Sequence, residues 1–180
     1  LERFGVRAEA VAGHSYGELA ALRAAGRIDD ATLRHLSAAR GRLMIGDGGD
    51  RGTMAAVQAS PDDVEQMLKK EKLDVVLAHR NGPAQGVLSG SREGIGRAIA
   101  ACDSCGWRTT RLDVSGAFHS KLMSDACEEF ATILAGATMS KGSTTVYANC
   151  TSTPYPDDLD EARKLLGRQL VSPVDFAKQI

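Results

Sequence analysis

The pentad Gly13-His14-Ser15-Tyr16-Gly17 follows an apolar run, Ala10-Val11-Ala12, and opens a helix-like run from Glu18 to Ala25. A GxSxG carried on a strand–turn–helix forces its serine onto a tight, strained bend with the hydroxyl exposed at the end of a sheet. The flanking glycines are expected to leave room where a Cβ would clash. The bend also aims the first backbone N–H groups of the helix at whatever the serine attacks. Ser15 is therefore the candidate nucleophile. Such pentads also arise by chance; the order of elements around this one argues against that. A serine hydroxyl needs a positioned base, and there are four histidines. His14 adjoins Ser15 on the bend. His35 lies within an ordinary helix. His79 ends a strand near the Asn81 turn, a position that suits either the edge of the site or no role. His119 follows a returning strand and the small pair Gly116-Ala117, a loop position of the kind where open α/β sheets put their sites. By spacing alone it suits a base and a structural histidine equally.

The elements that must position these residues are readable from periodicity and turn chemistry. Glu18–Ala25 is a helix stopped by Gly26. Asp29 and Asp30 are placed to cap a second helix running to about Met44. Residues 45–52, with Gly46, Gly48, Gly49 and Gly52, form a flexible loop. Met54–Ala59 reads as a strand, Pro61–Lys70 as a helix with Pro61 in its first turn, and Asp74–Ala78 and Gln85–Ser89 as strands joined through Asn81-Gly82-Pro83. Ser91–Cys105 reads as a helix capped by Ser91, and Thr109–Val114 as a strand. This order, β-α-β-β-α-β, is the split βαβ, ferredoxin-like unit. Residues 52–114 thus read as a lobe inserted into a larger α/β body made of 1–51 and 115–180. A helix from Ala117-Phe118-His119 to about Ala135, a strand at Val146-Tyr147 and a helix from about Asp160 to Leu170 follow. Leu1 to Phe4 reads as the tail of a helix, and Val174 to Ile180 as a helix barely begun, so both ends are expected to lie outside the chain.

Composition narrows the function classes. A net charge of −1 over 180 residues carries no basic footprint for nucleic acid, and 43% hydrophobic residues suffice for a core. No apolar run approaches the ~20 residues of a membrane span, and Leu1 to Arg7 has no signal-peptide pattern, so a cytoplasmic location is expected. Cys102 and Cys105 form a lone CxxC without a second ligand pair, and Cys127 and Cys150 stand apart; all four read as packing cysteines rather than a metal site.

Four motifs in order resemble the malonyl/acyl-CoA:acyl carrier protein transacylase family, in particular the acyltransferase domain of type I polyketide synthases. Gly13-His14-Ser15-Tyr16-Gly17-Glu18 is similar to the family's GHSxGE. Arg40, 25 residues after Ser15, stands where the family keeps a carboxylate-binding arginine. Asn81-Gly82-Pro83 with Val87-Leu88-Ser89-Gly90 resembles its N-x-P…V-x-S-G stretch. Gly116-Ala117-Phe118-His119-Ser120 resembles its HAFHS box, whose fourth residue is the catalytic histidine. Tyr147-Ala148-Asn149 and Ser172-Pro173-Val174-Asp175-Phe176 fit as well.

The resemblance implies an α/β-hydrolase-like body with a ferredoxin-like lobe. It implies ping-pong transfer: Ser15 takes a malonyl group from malonyl-CoA, with His119 as base, and passes it to the phosphopantetheine thiol of an acyl carrier protein. Arg40 would grip the free malonyl carboxylate as a planar fork. Tyr16 would offer one oxyanion N–H, and His14, Asn81, Tyr16, Gly116 and Phe118 would border the substrate. The histidine would be oriented by a backbone carbonyl. Phe118 resembles the malonyl type of box, while Gly116, where that box has histidine, is expected to loosen one wall. The family's G-Q-G and E-x-G-P regions have no counterpart. GHSYGE with GAFHS is most similar to iterative, enediyne-type synthases, and a flanking ketosynthase is an implied partner. No bound cofactor is implied. Two other readings fit a serine elbow. An esterase or thioesterase would carry its acid and then its histidine late in the chain, leaving Arg40 without a task. A non-catalytic docking domain would not need Ser15, Arg40 and His119.

Overall fold

The computed structural model describes residues 4–46 and 49–180. Most of the expected helix tail at Leu1 to Phe4, and Gly48 of the glycine loop, lie outside these residues. The chain is a mixed α/β fold. Strand β1 (Ala10–Val11) leads through the Ser15 bend into α1 (Gly17–Ala24), followed by α2 (Asp30–Ile45). Gly26, at φ 72°, ends α1 in a paired cap: its N–H reaches Arg23 O and the Arg27 N–H reaches Leu22 O. Asp29 starts α2 by accepting from the Thr32 N–H at 2.7 Å.

Next come β2 (Thr53–Gln58), α3 (Pro61–Lys70), β3 (Val75–Gly82), β4 (Gln85–Gly90), α4 (Arg92–Ser104) and β5 (Arg108–Arg111). They form one sheet in the order β5-β2-β4-β3, with every pairing antiparallel. Period-two alternation sorts their side chains. Ala55, Val57, Val75, Leu77 and Leu88 pack with Val64, Leu68, Ile95 and Ala98 of α3 and α4. Met54, Ala78 and Val87 take the opposite face, where Phe118 packs on them. The rest comprises α5 (Ser124–Ala135), β6 (Thr145–Val146), α6 (Leu159–Arg168) and β7 (Val174–Asp175). β6 runs parallel to β1. Leu19, Leu22, Leu36, Phe130, Leu134 and Leu166 form the second core.

Several boundaries differ from expectation. β3 continues through Asn81-Gly82, so the turn falls on Pro83-Ala84. β5 stops at Arg111, although the Leu112 N–H still donates to the Met54 carbonyl. His119 precedes a short 3-10 turn, Lys121–Met123, and α5 begins only at Ser124. Val174-Asp175 is not a helix start. It pairs in parallel with His79-Arg80, extending the sheet by a fifth strand. Cys105 is exposed at the end of α4, whereas Cys102 is packed in the core.

Two details carry the fold toward the site. Arg51 and Gly116 bridge each other, so the chain enters and leaves the β2–β5 segment side by side. β3 shifts register between Leu77 and His79 and again between Arg80 and Gly82. Strict alternation from Val75 and Leu77 would send His79 toward α3 and α4; the bulge re-aims it, and its ring meets those of His14 and His119.

Only one glycine of the Ser15 bend is sterically required. A Cβ on Gly13 would collide with the carbonyl of Gly17, whereas a Cβ on Gly17 meets nothing within 4 Å and needs no positive φ. The expectation that both glycines make room is thus corrected: Gly17 is simply the first residue of α1. Gly13→Ala should therefore lose more than about 2 kcal/mol by overpacking. Gly17→Ala should be neutral or stabilising by up to about 1 kcal/mol, following helix propensity. Urea unfolding of the two variants checks this, and equal losses would refute it.

Candidate active site

Ser15 sits at φ 52° and His119 at φ 59°, left-handed conformations that non-glycine residues hold only when their surroundings over-determine them. The surroundings are identifiable. The Ser15 N–H donates to Asn149 Oδ1 at 2.6 Å, and Asn149 Nδ2 donates to the Gly13 carbonyl at 2.8 Å, so one amide clamps both sides of the bend. The Ser15 carbonyl accepts from Gln169 Nε2 at 2.6 Å and from the Glu18 N–H at 3.1 Å. The His119 N–H donates to the Leu170 carbonyl.

These clamps bring Ser15 Oγ and His119 Nε2 to 2.8 Å across 104 residues of sequence. His119 Nδ1 lies 2.8 Å from the Gln169 carbonyl and 3.1 Å from the Ser172 carbonyl. Carbonyls only accept, so Nδ1 carries the proton and Nε2 presents its lone pair. Ser15 Oγ–H therefore donates to Nε2, the direction a general base requires. Burial pushes the His119 pKa down to about 4; the two carbonyl contacts oppose this, and the charge of Arg40 adds to it. The imidazole is neutral at neutral pH.

Arg40, on the third turn of α2, donates from Nη2 to Ser15 Oγ at 3.2 Å. It is 2% exposed, so a surface role is ruled out. Burial lowers its pKa to about 10, leaving it cationic at neutral pH; Glu18 and Tyr16 oppose the fall. Its Nε has no acceptor, and among the described residues no carboxylate lies within ion-pair distance of it. Tyr16, 52% exposed, sets its ring 5.8 Å from the Arg40 guanidinium and its hydroxyl 2.9 Å from Ser37 Oγ. No acceptor for the Tyr16 N–H is found among the described residues, so this donor remains open beside Oγ.

The other expected residues fall into two groups. His14 Nε2 donates to Asn81 Oδ1 at 2.9 Å, tying the serine bend to the end of β3. Phe118 packs against the Met54, Ala78, Val87 face of the sheet. Gly116 does not leave a gap, contrary to the expectation of a loosened wall. A Cβ there would stand 3.3 Å from the Phe118 ring and 3.5 Å from Arg51 Cβ, which already fill that space. His35 is exposed on α2 and away from this cluster.

Of the two readings open for His79, the structure places it at the edge of the site, and three further residues, Glu18, Asn149 and Gln169, were not singled out from the sequence for what they do here. His79 stacks edge-on against His14 at 4.7 Å and His119 at 4.9 Å, and burial takes its pKa to about 3. Glu18, Asn149 and Gln169 form a buried network under Ser15. Glu18 carried a usable signal: it is a carboxylate one position before Leu19 and four before Leu22, on the apolar face of α1. Gln169 and Asn149 carried none as network members, since isolated amides in loops look alike.

The whole chain, residues 1–180, matches the family model described as the acyl transferase domain. Polyketide synthase GfsA of Streptomyces halstedii is 40% identical over 158 residues, 88% of this chain and 2% of that protein. A malonyl CoA-acyl carrier protein transacylase of Synechocystis sp. is 34% identical over 170 residues, 94% of this chain and 56% of that protein. Among solved structures, the acyltransferase domain of the iterative polyketide synthase in enediyne biosynthesis superposes with a TM-score of 0.91 at 31% identity, covering 99% of this chain and 47% of that one. The chain thus spans about half the length of the transacylases it matches, and a few per cent of the large synthases.

The neutral His119 has a pH signature. Its folded pKa lies below the ordinary 6.5, so the unfolded chain binds more protons between pH 6.5 and about 4, and stability falls as pH drops through that window. His79 acts in the same direction. Modification of Ser15 by a serine-directed phosphonate should stay flat from pH 8 to about 5 and fall with a midpoint near 4, with circular dichroism marking any unfolding. A midpoint at 6–7 in folded protein would contradict the depressed pKa.

Proposed function

Because the chain belongs to the acyl transferase domain family, we propose that it moves a malonyl-type acyl group from coenzyme A to the phosphopantetheine thiol of an acyl carrier protein, through an ester on Ser15. The observation that carries this reading is the buried Arg40 beside Ser15 Oγ, with no carboxylate of the described residues in ion-pair contact with it. A cation held out of water with no carboxylate in contact, only the through-space field of Glu18, is expensive. It suits an acyl group that brings its own carboxylate, and a water-using hydrolase would have no use for it.

The steps follow from the protonation already described. Ser15 Oγ attacks the thioester carbonyl while its proton passes to His119 Nε2. The Tyr16 N–H faces the developing oxyanion. The tetrahedral intermediate collapses, the C–S bond breaks, and His119 returns the proton to the departing coenzyme A sulfur. The carrier thiol then gives its proton to His119 and attacks the Ser15 ester. The C–O bond breaks and Oγ recovers the proton. Arg40 holds the distal carboxylate throughout, and its N–H to Oγ supports the oxygen as it loses its proton. Phe118, Tyr16, Gly116, His14 and Asn81 border the acyl group in this reading.

The architecture is read in the same way. The strand order β5-β2-β4-β3, with two helices on one face, supports a ferredoxin-like lobe over 52–114. The Arg51–Gly116 bridge supports its insertion into an α/β-hydrolase-like body of 1–51 and 115–180. The synthase relatives support flanking domains such as a ketosynthase. No helix among the described residues is long and apolar enough to cross a membrane; a cytoplasmic location goes with the coenzyme A substrate.

Full-length protein mixed with malonyl-CoA should gain one malonyl mass on Ser15, and Ser15→Ala should abolish the gain. Label on another residue would end the nucleophile assignment. Arg40→Ala should lose malonyl transfer by roughly ten- to a hundredfold more than acetyl transfer, equivalent to about 1.5–3 kcal/mol for a charge-assisted pair. Equal losses for both substrates would refute the carboxylate grip. Phe118→Ser should raise methylmalonyl use relative to malonyl in a competition assay. The shift should be partial, since a pocket methyl is worth only ~1–3 kcal/mol.

A further inference from the structure

Gln169 touches both halves of the reactive pair by different groups. Its side-chain Nε2 donates to the Ser15 carbonyl at 2.6 Å and to Glu18 Oε2 at 2.7 Å. Its own main-chain carbonyl accepts from His119 Nδ1 at 2.8 Å. It is 1% exposed, one residue beyond α6. Both hydrogens of the amide are thereby committed.

The orientation of that amide is not free. The Ser15 main-chain carbonyl only accepts, so the NH2 end of Gln169 must face it, and Glu18 Oε2 takes the second hydrogen and holds the amide in that orientation. Glu18 is itself fixed. Its Oε1 accepts from the Tyr155 hydroxyl at 2.6 Å and from the Asn149 N–H at 3.2 Å. Asn149 in turn holds the Ser15 N–H. The peptide groups on either side of the strained Ser15 are thus tied to one buried carboxylate, one through Asn149 and one through Gln169.

We propose that the Gln169 side chain, oriented by Glu18, is a positioning residue that locks the nucleophile's backbone to the segment aiming His119. A carbonyl at position 169 would exist with any residue there. The side chain is what makes the segment carrying it follow Ser15, keeping Oγ and Nε2 within proton-transfer reach. The inference rests on the Ser15–His119 reading above for its rate readout.

Residue swapping separates positioning from mere stability. Glu18→Gln leaves two amides to contest one contact, and Gln169→Glu sets a carboxylate against both Glu18 and the Ser15 carbonyl. Each single variant should lower the thermal midpoint and slow Ser15 modification at least tenfold. In the double variant E18Q/Q169E, the amide now on α1 can donate to the carboxylate now beyond α6, so the pair is restored with its polarity reversed. The thermal midpoint should recover. The Ser15 carbonyl would still face an acceptor, so the rate should stay at least tenfold low. Gln169→Met, of similar size and without donors, is a further variant; it should lower kcat and leave KM for malonyl-CoA unchanged. A double variant that regains rate together with stability, or a Gln169→Met variant with wild-type kcat, would overturn the proposal. The rates are read with a serine-directed phosphonate and with malonyl-CoA. Normal phosphonate reaction without malonyl loading in the wild type would refute the functional reading and leave this inference standing.

Discussion

A peptide carbonyl can accept a hydrogen bond and can never donate one, and the state of the whole site follows from that. With the Gln169 and Ser172 carbonyls against Nδ1, His119 has a single tautomer available. Its Nε2 must accept, and Ser15 must donate to it. A carboxylate in the same place would fix the same tautomer but add a negative charge that favours imidazolium. Neutral carbonyls do not compensate for burial, so the ring titrates near 4 and waits as a free base. The neighbouring rings of His79 and His14 bring no carboxylate either, which keeps the base unprotonated and close to the Arg40 cation.

The site is assembled from groups that would be unfavourable alone. Ser15 and His119 hold left-handed conformations, each worth on the order of 1–3 kcal/mol of strain. Arg40 is a buried cation and Glu18 a buried carboxyl, and burial raises the Glu18 pKa even though Tyr155, Gln169 and the Asn149 N–H all favour its charged form. What offsets these terms is reciprocity. The peptides that the strain exposes are satisfied by Asn149 and Gln169, the Asn149 main-chain N–H and the Gln169 side-chain amide donate to Glu18, and the Glu18 field falls on Arg40. Removing one member leaves others unsatisfied, so losses within this cluster should not add as independent contributions.

Legibility from sequence followed the range of the interaction. Elements set by neighbouring residues could be read: Gly26 and Asp29 mark α1 and α2, Ser91 starts α4 by capping Gly94, and alternation along β2 and β4 separates the two faces of their sheet. Ser15 stood out because its bend is a local motif; His119 by spacing alone did not, and the ordered set of motifs was needed to favour it. Features set by distant partners were misread or invisible. Val174-Asp175 looks helical until His79-Arg80 offers an edge to pair with. Gly116 looks like a gap until the Phe118 ring is seen in it. Gln169 acts through a partner 154 residues away, and no local pattern marks that.

The side-by-side crossing at Arg51 and Gly116 bears on the order in which this molecule can fold. The Ser15–His119 contact closes a loop of 104 residues, a slow, entropically costly event for an open chain. If β2–β5 pair first, the bridge pins their two ends together, and the remaining loop shrinks to an effective length of roughly 40 residues, lowering the closure entropy by a little under ~1 kcal/mol. The reactive pair then becomes one of the last contacts to form, and nascent chains that have not completed the β2–β5 sheet carry a serine without a base. A chain stalled midway would then hold Ser15 apart from His119, and on the proposed function acyl transfer would be a late product of folding.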